Sequence, residues 1–134
     1  MNKKGHQRLS CLRKLNFFHV DKTLMKMFYR AFIESVISFN MVTWFGNLSL
    51  KNSKPLSQIV KWACRIIREP QLSLEDLYKR QQHRLTGSIL GDRSHPLYGE
   101  FQLLPHGRRY RLPVGDNNRF RNSFVPAAIS ELNK

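Results

Sequence analysis

Near the end of the chain, five arginines stand among aromatic and amide side chains within fourteen residues: Arg108, Arg109, Arg111, Arg119 and Arg121, with Tyr110 and Phe120 between them. Guanidinium groups bind phosphate oxygens through paired hydrogen bonds, and exposed aromatic rings stack on bases. The pattern therefore predicts contact with a sugar-phosphate strand. A second interpretation stays open, in which the two rings attach the tail to a helical core and the arginines only face solvent.

A smaller basic set, Lys61, Arg65 and Arg68, recurs at steps of four and three residues, which places all three on one face of a helix. Such a face can follow a phosphate backbone. An ordinary solvated helix has the same pattern, so the sequence leaves both interpretations open.

The sequence offers little for catalysis or metal binding. His19 and Asp21 match the first two ligands of a facial-triad iron site, but a capping aspartate beside a boundary histidine explains the pair better. Cys11 and Cys64 are far apart, and neither belongs to a CxxC pair. The chain has no phosphate-binding glycine loop, no GxSxG motif and no pair of adjacent aspartates. We therefore expect no catalytic residue, no metal and no cofactor.

The composition is strongly basic, with 23 Lys and Arg against 9 Asp and Glu, a net charge of +14 in 134 residues. This charge attracts polyanions, so RNA or DNA, bound through phosphate contacts, is the expected partner. The hydrophobic fraction of 41% is too high for a disordered basic arm. The most apolar stretch, 31–48, contains Glu34 and Asn40 and is too polar for a membrane span, so no membrane partner is expected. Two cysteines are too few for a disulfide framework, which favours an intracellular protein, nuclear or cytoplasmic.

Apolar residues at steps of three and four predict four helices, at 3–18, 22–44, 55–68 and 73–90. The second should be central, with Phe28, Phe32, Val36 and Phe39 buried. From residue 92 prolines accumulate and the periodicity fades until a short helix that Pro126 would start. The predicted fold is all-α: a small basic cluster of about four helices at 1–91, followed by an Arg-rich, loop-rich tail at 92–134 that ends in a short helix.

Several strings resemble the region that follows the polymerase in LINE-type (non-LTR) retrotransposon reverse transcriptases: QRLSCLRKL (7–15), FYRAFIESV (28–36), GRRYR (107–111) and NRFRNSFVPAAI (118–129). The resemblance runs along essentially the whole chain. The resemblance implies a C-terminal segment of a larger polyprotein, with endonuclease and polymerase domains upstream. It implies a thumb-like or post-thumb role, gripping template RNA or target DNA, with the upstream polymerase domain as a further partner. The family's paired catalytic aspartates have no counterpart here, so no catalytic residue is carried over.

The first of these strings also resembles the N-terminal region of the eighth AlkB homologue, a tRNA-modifying oxygenase and methyltransferase. That resemblance implies an alternative, an accessory region of a nucleic-acid oxygenase or methyltransferase. A third alternative is a translated retroelement remnant without a function.

Overall fold

The computed structural model describes residues 2–134, and within that range the chain is helical and forms no β-strand. The α-helices are α1 (Asn2–Phe17), α2 (Lys22–Phe28), α3 (Ser35–Ser38), α4 (Met41–Trp44), α5 (Leu50–Ile67), α6 (Leu74–Gly91), α7 (Asn118–Arg121) and α8 (Phe124–Leu132). A π-helical segment, Tyr29–Glu34, joins α2 to α3, and short 3₁₀ turns follow at Phe45–Asn47 and Tyr98–Glu100. The predicted all-α class is confirmed. None of these helices is long and apolar enough to cross a membrane.

The chain forms two compact units whose boundary lies inside α6. Unit 1 comprises the described residues up to Met41 together with Leu48–Leu77, and unit 2 comprises Val42–Asn47 and Tyr78–Lys134. The sequence predicts a division after residue 91. Ile89 of α6 packs with side chains from residues 92–134, so the second part of α6 and that region share a core.

Unit 1 is built on the packing of α1 along α5. Leu9 and Leu12 of α1 and Ile59 of α5 are completely or almost completely buried. A Cβ placed at Gly5 would lie 2.7 Å from Cδ1 of Ile59, so the absence of a side chain at Gly5 lets the two helices approach closely at this point.

The predicted long helix at 22–44 is interrupted. Continuous helix ends at Ser38, where Phe39 takes an extended ψ of 119° and Asn40 adopts a left-handed φ of 54°. Asparagine tolerates this conformation better than most residues, because its short polar side chain can bond locally. The chain therefore turns at 39–40, and α4 starts as a separate short helix.

The predicted buried face of this helix is also wrong. The buried apolar residues between Lys22 and Ser38 are Met25, Tyr29, Ile33 and Ile37, at uniform steps of four. In a regular α-helix each step of four overshoots a full turn by about 40°, so such residues would spiral away from the core. The π-helical segment is wound more loosely, with the backbone N–H of Ser35 donating to the carbonyl of Arg30, and this brings the steps of four back onto one face.

That change of winding turns the expected aromatic stripe outward. Phe32 is 49% exposed and Phe39 is 73% exposed, while Phe28 and Val36 are only half-buried.

Helix α5 starts earlier than its proline suggested. Ser49 caps it, with its hydroxyl accepting from the backbone N–H of Asn52 at 3.3 Å, and Pro55 lies in the second turn. Proline has no backbone N–H, so the hydrogen bond from residue 55 to the carbonyl of Lys51 is absent from this turn. At the other end, Arg68 closes the helix in a left-handed conformation, φ 62°, and its N–H donates to the carbonyl of Cys64.

Unit 2 contains a compact apolar cluster formed by Ile89, Phe101, Ala128 and Ile129. The tail is therefore folded around a core of its own, although it contains few helical residues. Helix α8 begins at Phe124, before Pro126, which occupies its first turn as a proline should.

Candidate nucleic-acid interface

The first three tail arginines lie on a tight hairpin-like turn in unit 2. The N–H of Leu104 donates to the carbonyl of Arg109 at 2.8 Å, and the N–H of Arg111 donates to the carbonyl of Gln102 at 2.7 Å. At the tip, Gly107 takes a φ of 69°, a conformation that suits glycine, and Nδ1 of His106 accepts from the N–H of Arg108. The sequence predicted a loop here; the structure adds a defined backbone that presents the arginines.

Tyr110 fixes this turn to the core of unit 2. Its backbone N–H and carbonyl both bond to the side-chain amide of Asn133, at 2.8 and 3.0 Å. Its ring is half-buried and packs edge-on against Phe101. Arg109 and Arg111, on either side of Tyr110, are both exposed. This geometry favours the tethering interpretation for the Tyr110 ring.

The other two tail arginines belong to the short helix α7. Asn117 caps it, since its side-chain oxygen accepts from the N–H of Phe120 at 2.7 Å. Arg119 and Arg121 are both exposed, and Nε of Arg121 donates to the carbonyl of Gly115. The Phe120 ring lies directly against Gly115, where any side chain would collide with it, and is 38% exposed. One part of this ring is thus occupied, and the rest faces solvent.

The predicted basic face of α5 lies in unit 1. Lys61 and Arg65 are exposed on consecutive turns, and Arg68 is exposed just beyond the last turn. Lys54 and Gln58 continue the same exposed row toward the start of the helix. The face is therefore solvent-accessible along its length, which is compatible with both interpretations left open by the sequence.

Among the residues that the structure describes, none of the five tail arginines and none of the three α5 cations forms an ion pair. Carboxylates pair with other cations instead. Glu69 contacts the ammonium groups of Lys22 and Lys26, and these hydrogen bonds hold the pKa of Glu69 below its usual value. The cations of the candidate interface are thus available to an external anion.

Residues 2–134 contain no group of three His, Cys, Asp or Glu side chains arranged to hold a metal ion. His19 is exposed in a left-handed conformation, φ 55°. Asp21 is the N-cap residue of α2, as predicted, although its side chain makes no capping hydrogen bond. Cys11 is exposed and Cys64 is half-buried, and both are free thiols.

The structure reveals one basic surface that the sequence reasoning missed. A groove of about 750 Å³ in unit 1 is lined by α1 and by the end of α3, with Lys3, Lys4 and Arg8 on one side and Phe39 on the other. The sequence signal was present as basic residues at helical spacing in α1. The sequence analysis places Phe39 in the core, so it does not predict a groove at this position.

The comparisons with known proteins give one match. The family model described as alkylated DNA repair protein alkB homolog 8, N-terminal, matches residues 1–35. This segment ends where the π-helical segment gives way to α3 and is about a quarter of the chain. No curated protein and no solved structure matches. The chain is thus similar to the N-terminal region of that homologue over its first 35 residues.

Proposed function

We propose that this chain is a non-catalytic nucleic-acid-binding segment that holds RNA or DNA through phosphate contacts, as the C-terminal part of a LINE-type reverse transcriptase. The lineage rests on the strings quoted above at both ends of the chain. An interrupted polymerase reading frame in the genomic DNA immediately upstream would support it, and unrelated upstream DNA would contradict it.

One observation carries the binding proposal: Arg109 and Arg111 are both exposed, on either side of Tyr110, in a turn whose backbone is bonded to the side chain of Asn133. A guanidinium on a fixed backbone loses less conformational entropy on binding than one on a mobile tail. Because these side chains make no internal ion pair, a phosphate can bind without first displacing a carboxylate.

The test is a salt series of oligonucleotide binding with the full chain. Each phosphate neutralised on a single strand contributes a slope of roughly −0.7 in log affinity against log salt. Replacing all five tail arginines by alanine should flatten the slope by about three units if most of them touch phosphate. Replacing all five by lysine keeps the charges and should leave the slope near that of the wild type, which makes it the matched control.

Two results would contradict this assignment. An unchanged slope in the five-alanine variant would move the binding surface away from the tail, and Lys61, Arg65 and Arg68 would be replaced next. If the wild-type chain does not bind oligonucleotides at low salt, the nucleic-acid proposal is wrong.

A second candidate is an accessory region of an AlkB-homologue-type oxygenase or methyltransferase, and the match over residues 1–35 favours it. Under this proposal the important surface lies on α1 and α2 rather than on the tail. The tail variants would then bind like the wild type, whereas replacement of exposed α1 cations such as Lys4 and Lys14 would weaken binding.

A further inference from the structure

We propose that the groove between α1 and the end of α3 is a separate site for single-stranded nucleic acid, in which one base stacks on Phe39 and the α1 cations hold the neighbouring phosphates. The inference deepens the proposed function, on which it rests. It assigns a base-stacking contact to unit 1, where the sequence had placed stacking only in the tail.

The groove combines the groups that a nucleotide needs. Lys3, Lys4, Gln7 and Arg8 occupy consecutive turns on one face of α1, and Ser35, Val36 and Phe39 form the opposite side. Among the lining residues that the structure describes, three are cations and none is a carboxylate. The cations thus stand across the groove from an aromatic ring, which is the arrangement by which single-strand binding proteins track a backbone while they stack its bases.

Phe39 is a ring that the core does not need. Its side chain is 73% exposed, and the chain turns away at Asn40 immediately after it. Stacking of a base on an exposed aromatic ring contributes about 1–3 kcal/mol and tolerates any base.

Arg8 is held in place before any ligand arrives. Its Nη1 donates to the carbonyl of Phe32 at 2.5 Å, and its guanidinium carbon lies 5.9 Å from the centre of the Phe32 ring. A guanidinium has five N–H donors, so these two contacts leave others for phosphate. The fixed orientation lowers the entropic cost of binding, as preorganisation does elsewhere.

Charge and shape both favour a nucleic-acid strand over other anionic partners. An acidic peptide would use the lysines but has no base to cover Phe39. An anionic bilayer presents a broad surface, whereas these residues line a concave groove.

The experiment measures anisotropy of a fluorescein-labelled oligouridylate with the full chain across a salt series. Phe39→Ala should weaken binding by roughly 5- to 150-fold, the equivalent of one stacked base, without changing the salt slope. Phe17→Ala is the matched control, because Phe17 is equally exposed, at 76%, and lies outside the groove. Phe39→Trp keeps a stacking ring and should retain the affinity of the wild type. Far-UV circular dichroism verifies that each variant is folded.

The charges are tested separately. Replacing Lys3 and Lys4 by glutamine should flatten the slope by about 1.4 units, two contacts at roughly 0.7 each. Replacing the exposed pair Lys79 and Arg84 of α6 by glutamine makes the same change in net charge outside both candidate basic surfaces and should alter the slope less.

The outcomes separate this inference from the proposed function. If the five-alanine tail variant flattens the slope while the groove variants match their controls, the groove inference is overturned and the tail site stands. If only the groove variants respond, the groove stands and the tail assignment fails. If Phe39→Ala abolishes binding to phosphatidylserine vesicles and leaves oligouridylate binding unchanged, the groove is a membrane site and the inference is wrong.

Discussion

Substitution of Tyr29 by phenylalanine should stabilise the protein. The side chain of Tyr29 is completely buried in unit 1, and within the described part of the chain its hydroxyl has no hydrogen-bond partner. In the unfolded chain the same hydroxyl bonds to water. Burial of an unsatisfied polar group costs about 1–3 kcal/mol, and phenylalanine keeps the ring that fills the core. We therefore expect the free energy of unfolding to rise by about 1 kcal/mol or more.

The same substitution should change how stability depends on pH. Burial, and then the nearby charge of Glu34, raise the pKa of Tyr29 well above its ordinary value. Below the unfolded pKa of about 10, the hydroxyl is protonated in both states and its titration takes nothing from the stability of the wild type. As pH rises from there toward the folded pKa, only the unfolded state loses the proton, so the free energy of unfolding of the wild type falls. Phenylalanine does not titrate. The stability advantage of the variant should therefore widen above about pH 10, by up to about 1.4 kcal/mol per pH unit.

Urea unfolding followed by far-UV circular dichroism, at neutral pH and above pH 10, measures both effects. Tyr98→Phe is the control, since Tyr98 is only half-buried in unit 2 and its change should stay within about 0.5 kcal/mol. A loss of more than about 1 kcal/mol in Tyr29→Phe would refute the reasoning, because it would mean that the hydroxyl bonds to a partner in solution.

Four further substitutions test other parts of the structure. In thermal unfolding, Ile33→Ala should lower the free energy of unfolding by about 2–5 kcal/mol and Phe32→Ala by at most about 1 kcal/mol. A larger loss for Phe32→Ala would support the buried face predicted from the sequence. Because the pKa of Glu69 is lowered, its carboxylate stabilises the fold fully above the unfolded pKa of about 4.3, and this stabilisation is lost as pH falls through the folded pKa. Glu69→Gln should therefore unfold more easily than the wild type at neutral pH and as easily as the wild type in acid. Denaturation measured across pH checks this. Asn133→Ala removes both bonds to the backbone of Tyr110 and should cost about 1–3 kcal/mol, seen as faster amide exchange in the arginine turn.

The sequence predicted those helices whose ends carry their own chemical signals. Helix α6 was predicted from residue 73 and begins at Leu74, where the N–H of Asp76 donates to the Ser73 hydroxyl at 3.2 Å. Helix α1 was predicted over 3–18 and spans Asn2–Phe17, with Leu9 and Leu12 buried at a step of three. In both helices the information lies within a few neighbouring residues, so periodicity and capping were sufficient.

The remaining features depend on contacts that local patterns do not encode. The sequence of this helix allows two apolar faces, one through Tyr29 and Ile33 and one through Phe28 and Phe32. Only tertiary packing decides that the face with Tyr29 and Ile33 is buried. The same ambiguity explains why the groove was not predicted, because Phe39 belongs to the face that the sequence analysis expects to be buried. For the tail, arginine clustering indicated the candidate site, but the pairing of Tyr110 with Asn133 joins residues 23 positions apart and has no sequence signature.

The loosely wound turn at Tyr29–Glu34 makes this stretch a place where the length of the chain can change. A π-helical turn accommodates one residue more than the α-helix that would span the same distance, and the turns on either side keep their orientation. Removal of the exposed Ala31 would convert the turn to ordinary α-helix, with Met25 and Ile37 still directed into the core. A shortening at this point is therefore absorbed where it occurs, whereas the same deletion within α5 would rotate every later core residue of that helix by about 100°.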